Sequence, residues 1–90
     1  MASIRRRLLV SGRVQGVWFR ASCREQAAAA GVSGWAHNLA DGRVEVVLEG
    51  DRDAVAHVEA WCHHGPDHAV VTDVAAIDEQ PEGLTTFVTR

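Results

Sequence analysis

The stretch Gly12-Arg13-Val14-Gln15-Gly16-Val17-Trp18-Phe19-Arg20 joins a short apolar run to an alanine-rich one. Such a junction reads as a strand, a tight glycine-bearing loop and a helix start. A loop of this kind turns several main-chain N–H groups inward, and the positive end of the adjoining helix adds to them. The product is a concave seat for an anion. Arg20 closes the stretch with a planar fork of donors that matches a phosphate or a carboxylate.

Upstream of the seat, residues 5–11 set Leu8 and Val10 against Arg7, Leu9 and Ser11, the alternation of a strand. Downstream, residues 19–30 are good helix formers. Phe19, Cys23, Ala27 and Ala30 fall on one stripe, and Gly31 is a natural stop. Residues 32–38 read as a second strand and Asp41-Gly42 as a hairpin turn. A third strand, 43–49, puts Val44, Val46 and Leu48 on one side and Glu45 and Glu49 on the other. Asp51 or Asp53 can cap a second helix, whose apolar residues are Ala54, Val55, Val58, Trp61 and Cys62 and which Gly65-Pro66 ends. Residues 69–77 form a fourth strand whose apolar phase shifts between Val71 and Val74, the mark of a bulge. Residues 85–89 are a short closing strand.

The order is β-α-β-β-α-β plus a final strand, with no linker. It specifies an α+β sandwich, an antiparallel sheet with two helices on one face, over 1–90 as a single domain. Right-handed crossovers make the first and second strands parallel, with the third between them. The ends of the first two strands then lie at one edge of the sheet. Asn38 is thereby brought towards the seat around Arg20, across eighteen positions of sequence.

A net charge of −3 argues against a general nucleic-acid or anionic-membrane surface. Seven of the nine basic residues (Arg5, Arg6, Arg7, Arg13, Arg20, Arg24 and Arg43) nevertheless fall in the first half, and none is Lys. That distribution suits a local anion site. Arg5-Arg6-Arg7 reads as a solvated strand end. Cys23 and Cys62 sit at apolar helix positions and read as small core residues in a reducing compartment. No apolar run reaches membrane-spanning length and no signal peptide precedes the first strand, so a cytoplasmic location is expected. The histidines lack the one-turn spacing and the carboxylate or Cys support of a metal site, so no metal is expected.

Phosphoryl chemistry needs charge stabilisation, positioning and a nucleophile. The main-chain N–H groups of Val14, Gln15, Gly16, Val17, Trp18 and Phe19, with Arg20, suit the phosphoryl oxygens. Asn38 carries a carboxamide that can both donate to and accept from a water, though Asn is equally a turn residue. A phosphate-binding loop of the Gly-Lys-Ser/Thr type is excluded because the chain has no Lys. A cysteine phosphatase needs its thiol before the Arg, whereas Cys23 follows Arg20. No Asp or Ser lies between Gly12 and Arg20 to be phosphorylated. What remains is direct attack by water, which suits an already reactive mixed anhydride. The Gln15 side chain reads as a loop contact, and Trp18 and Trp35 as packing residues or as an acyl-pocket lining.

The block from Gly12 to Arg20 and the block Gly34-Trp35-Ala36-His37-Asn38-Leu39-Ala40-Asp41-Gly42-Arg43-Val44-Glu45 strongly resemble the two signature blocks of the acylphosphatases. Gly65-Pro66 and the ending Phe87-Val88-Thr89-Arg90 look similar too. The resemblance covers nearly the whole chain. It implies a ferredoxin-like sandwich and hydrolysis of acyl phosphates to a carboxylate and inorganic phosphate. It implies phosphate binding by Arg20, water orientation by Asn38, and no metal or other cofactor. The expected ligands are a small acyl phosphate and inorganic phosphate as product and inhibitor, with no nucleic acid or membrane partner and a monomeric state. Ala36, His37 and Asp67 depart from the common pattern, and His37 lowers the charge beside Asn38 because a His is mostly neutral at pH 7.

Overall fold

The structure is a computed structural model and describes residues 3–90. Seven elements follow in the expected order: β1 (Ile4–Arg13), α1 (Phe19–Ala30), β2 (Ser33–Asn38), β3 (Val44–Gly50), α2 (Arg52–Cys62), β4 (Val70–Glu79) and β5 (Phe87–Thr89). They form one five-stranded sheet in the order β4-β1-β3-β2-β5. β3 pairs antiparallel with both β1 and β2, so β1 and β2 are parallel and their C-terminal ends share an edge.

The core lies between the helices and one sheet face. Leu8, Val10, Val44, Val46, Leu48 and Ala36 meet Phe19, Cys23 and Ala27 of α1 and Val55, Val58 and Cys62 of α2. The alanine stripe lets α1 lie close to the sheet. Phe19 and Trp61 seal the upper end, with ring centres 5.3 Å apart. Cys23 and Cys62 are free thiols, fully buried and in contact across the two helices. That contact, and then burial, push the Cys62 thiol well above its ordinary value of 9.0.

The expected bulge is present. Ser11 pairs with Asp73 and Gly12 with Val71, so Thr72 on β4 has no opposite number. Gly12 has φ 121°, and a Cβ there would stand 2.1 Å from the Val70 carbonyl oxygen. Only glycine lets the chain leave β1 this close to the bulged strand. Asp51 is the N-cap of α2 but makes no side-chain capping bond.

Two features differ from expectation. β5 runs parallel to β2 rather than antiparallel, so the sheet is mixed at that edge. β5 occupies the edge opposite β4, four strand spacings away, roughly 19 Å. Residues 80–86 can bridge that distance only nearly extended. Glu49, on the central strand, pins this crossing: its Oε1 accepts N–H bonds from Glu82 (3.1 Å), Gly83 (2.6 Å) and Leu84 (3.0 Å).

The other difference is the Arg5-Arg6-Arg7 run, which is not a solvated end. Arg5 is only 4% exposed. Its guanidinium lies 5.0 Å from the Trp35 ring centre, donates to Glu79 at 2.9 Å, and sits 3.5 Å from Glu49. Arg7 pairs with Glu45 and Glu79. The helix-free face is an ionic lattice, because Arg on β1 faces Glu on both neighbouring strands.

This lattice makes stability depend on acid. Burial acts to raise the Glu49 carboxyl, but the main-chain bonds from Glu82, Leu84 and Gly83, together with Arg5, outweigh it and hold it below its ordinary 4.5. Glu79 is held low by hydrogen bonds from Arg7 and then Arg5. A carboxyl lowered on folding stabilises fully above its unfolded value and loses that contribution as pH falls through its folded value. Urea midpoints measured downward from pH 7 should therefore hold until about pH 4.5 and then fall, with a shallower acid limb in Glu49→Gln. A midpoint independent of pH down to acid would refute this.

Candidate functional site

The loop between β1 and α1 alternates in backbone sign. Gly16 has φ 74° and Trp18 φ 67°, while Gln15 and Val17 are not positive. Such alternation turns successive N–H groups to one side, forming an anion-binding nest. No hydrogen bond runs from the main-chain N–H of Gln15, Gly16, Val17, Trp18 or Phe19 to an acceptor among the described residues. Trp18 is the N-cap of α1, makes no side-chain cap, and no acidic residue occupies the first turn. The positive end of a twelve-residue helix is thus left uncompensated by the described residues.

Arg20, the second residue of α1, and Asn38, the last residue of β2, line one cavity of about 300 Å³. Val14, Gly16, Trp18, Phe19, Ala21 and Thr89 complete its wall. The topology inferred from strand order does bring the two polar residues together. Asn38 Oδ1 is buried with no hydrogen-bond partner among the described residues. A buried amide oxygen without a partner is costly, and this one belongs to a residue of the cavity wall.

The loop is tied to the β2–β3 turn by Gln15, whose Nε2 donates to the carbonyls of Leu39 (2.7 Å) and Arg43 (3.0 Å). Its side chain is therefore a loop contact, and only its main chain remains available to an anion. The Arg20 guanidinium donates through Nη1 to the Arg90 main-chain oxygen. Arg90 is in turn fixed by its N–H bond to the Ala36 carbonyl (2.9 Å) and by its guanidinium, 4.1 Å from the Trp35 ring centre. Trp35 lies on the ionic face, wedged by Arg5 and Arg90, and is no part of the cavity. His37 does not line it either.

Sequence reasoning missed Thr89, Ala21 and the Arg90 carbonyl. The last two carry no signal that a sequence displays: a small side chain and a main-chain atom seventy positions from its partner. Among the described residues no group of three His, Cys, Asp or Glu side chains is placed to hold a metal ion.

Comparison with known proteins gives the geometry a lineage. The acylphosphatase family model matches residues 6–89. An acylphosphatase of Trichormus variabilis is 55% identical over 84 residues, 93% of this chain and 83% of that one. An acylphosphatase of Haloarcula marismortui is 54% identical over 91 residues, covering 100% of this chain and 99% of the other. The crystal structure of acylphosphatase from Bacillus subtilis superposes with a TM-score of 0.94 at 33% identity, over 97% of this chain and 98% of that one. With a match of this extent in sequence and in fold, the chain belongs to the acylphosphatase family.

Proposed function

We propose that Arg20 and the main-chain N–H groups of residues 14–19 hold the phosphoryl group of the substrate, and that Asn38 holds the attacking water. The chain is an enzyme that hydrolyses acyl phosphates to a carboxylate and inorganic phosphate. The observation that carries the residue assignment is the shared cavity: Arg20, Asn38 and the loop residues Val14, Gly16, Trp18 and Phe19 all line it.

In the proposed step the water oxygen forms a bond to phosphorus as the bond from phosphorus to the acyl oxygen breaks. The electron pair leaves on the carboxylate, a good leaving group. The water's proton passes to a non-bridging phosphoryl oxygen, since no Asp, Glu or His among the described residues lines the cavity. Arg20 and the loop amides meet the charge spread over the phosphoryl oxygens, and Asn38 aligns the nucleophile. Nothing in this set of groups calls for a cofactor, and we infer metal-independent turnover by a monomer inhibited by inorganic phosphate. A cytoplasmic location is supported by the two buried free thiols.

The test is benzoyl phosphate hydrolysis by wild type and Asn38→Ala, with and without a chelator. Asn38→Ala should lower kcat on the order of 10²-fold while the inhibition constant of phosphate moves less than about threefold. Unchanged kcat in the variant removes Asn38 from the mechanism. Loss of wild-type turnover on chelation removes metal independence.

A further inference from the structure

Three tryptophans are present, and two are packed. Trp61 lies against Phe19, and Trp35 is wedged between two guanidinium groups. Trp18 is 77% exposed, the largest exposed apolar side chain among the described residues. Its indole makes no ring contact or hydrogen bond with them. It is also the one non-glycine residue among them with positive φ. For a bulky residue that conformation is strained, and such strain gathers at ligand-binding sites. An exposed, strained indole contributes nothing visible to the core, so packing does not account for it.

Its position does. Trp18 borders the cavity that holds Arg20 and Asn38. The wall of that cavity is two-toned. Arg20, Asn38 and Thr89 are polar, while Val14, Phe19, Ala21 and Trp18 are apolar. The volume of about 300 Å³ is at the lower end of the roughly 300–1,000 Å³ of small-molecule sites, yet more than a phosphoryl group alone requires. An acyl phosphate is itself two-toned, with a charged end and a carbon end. Once the phosphoryl group is seated at Arg20 and the loop, the acyl group has an apolar wall to rest on.

We infer that Trp18 is the specificity-determining residue for the acyl group, its indole face covering flat, apolar acyl groups and so favouring aromatic acyl phosphates over acetyl phosphate. This rests on the reading that Arg20 and the loop hold the phosphoryl end. An indole face gains from offset or edgewise contact with a second ring, and it gains little from a methyl group. A side chain held ready at the mouth of the cavity makes this contact without reorganising the loop.

The experiment compares acetyl phosphate and benzoyl phosphate in wild type, Trp18→Gly and Trp18→Phe. Glycine is chosen because it adopts positive φ without strain and is acceptable at an N-cap, so the loop conformation is retained while the indole is lost. In Trp18→Gly, kcat/KM for benzoyl phosphate should fall about tenfold relative to acetyl phosphate, mainly through KM, and the phosphate inhibition constant should stay within about twofold. Trp18→Phe should keep most of the preference. An unchanged benzoyl-to-acetyl ratio in Trp18→Gly overturns the inference. So does an equal loss on both substrates, or a phosphate inhibition constant that rises in step with the loss on benzoyl phosphate. The underlying reading fails by a different sign: phosphate inhibits Arg20→Ala as strongly as wild type, whatever Trp18→Gly does.

Discussion

Arg20→Ala is expected to lower kcat/KM for benzoyl phosphate on the order of 10³-fold and to abolish inhibition by inorganic phosphate at concentrations that saturate the wild type. The loss exceeds that for Asn38→Ala because the guanidinium offers several donors and a full charge, whereas in the proposed mechanism the carboxamide orients one water. Arg20→Lys should recover only a small part, since a point charge cannot reproduce the planar fork. The substitution also removes the bond to the Arg90 carbonyl, which loosens one end of β5. Far-ultraviolet circular dichroism and a urea titration separate the two effects: activity collapses while the transition midpoint moves little. Retained phosphate inhibition in Arg20→Ala would mean that the seat is not where the phosphoryl group binds.

The second large effect concerns stability. A Cβ built on Gly34 stands 1.8 Å from the Val47 carbonyl oxygen and 2.7 Å from the Val47 carbonyl carbon. Both are main-chain atoms of the central strand, so no side-chain rotation relieves the clash. The backbone at Gly34 also has φ 143°, a region that L side chains rarely adopt. Gly34→Ala must part β2 from β3 at a ladder pair and should cost at least about 3 kcal/mol, a large share of the roughly 5–15 kcal/mol that holds a domain together. Gly42→Ala is the control. Its φ is 95°, but a Cβ there meets nothing within 4 Å, and it should cost about 1 kcal/mol. Comparable urea midpoints for the two variants would show that β2 shifts freely, contrary to the close approach seen here.

What the sequence displayed, and what it hid, follows the range of each interaction. The stripe Phe19-Cys23-Ala27 predicts the buried face of α1 because helical periodicity is local. The phase shift between Val71 and Val74 predicts the bulge for the same reason. The juxtaposition of Arg20 and Asn38 is long-range, yet it followed from strand order and handedness alone, and the two do line one cavity. The direction of β5 was not legible. Three residues carry no orientation signal, and the Glu49 anchor that guides the crossing is one carboxylate gripping three main-chain N–H groups. The burial of Arg5 was hidden because a basic run looks solvated until Glu79, Glu49 and Trp35 are placed around it. Trp18 was ambiguous between packing and lining. A bulky apolar residue before a helix is most often buried, and only the positive φ turns this one outwards.

The Gln15 bridge makes the two sides of the cavity a single vice. β1, which feeds the amide loop, and β2, which ends at Asn38, are both interior strands of the sheet, and the Gln15 side chain bolts the loop to the carbonyls of Leu39 and Arg43. Local opening is cheapest at the outer strands β4 and β5, neither of which carries the amides or the carboxamide. The spacing between the two jaws is held fixed: a ligand of varying bulk is accommodated on the open side of the cavity, while the aim of the carboxamide stays true.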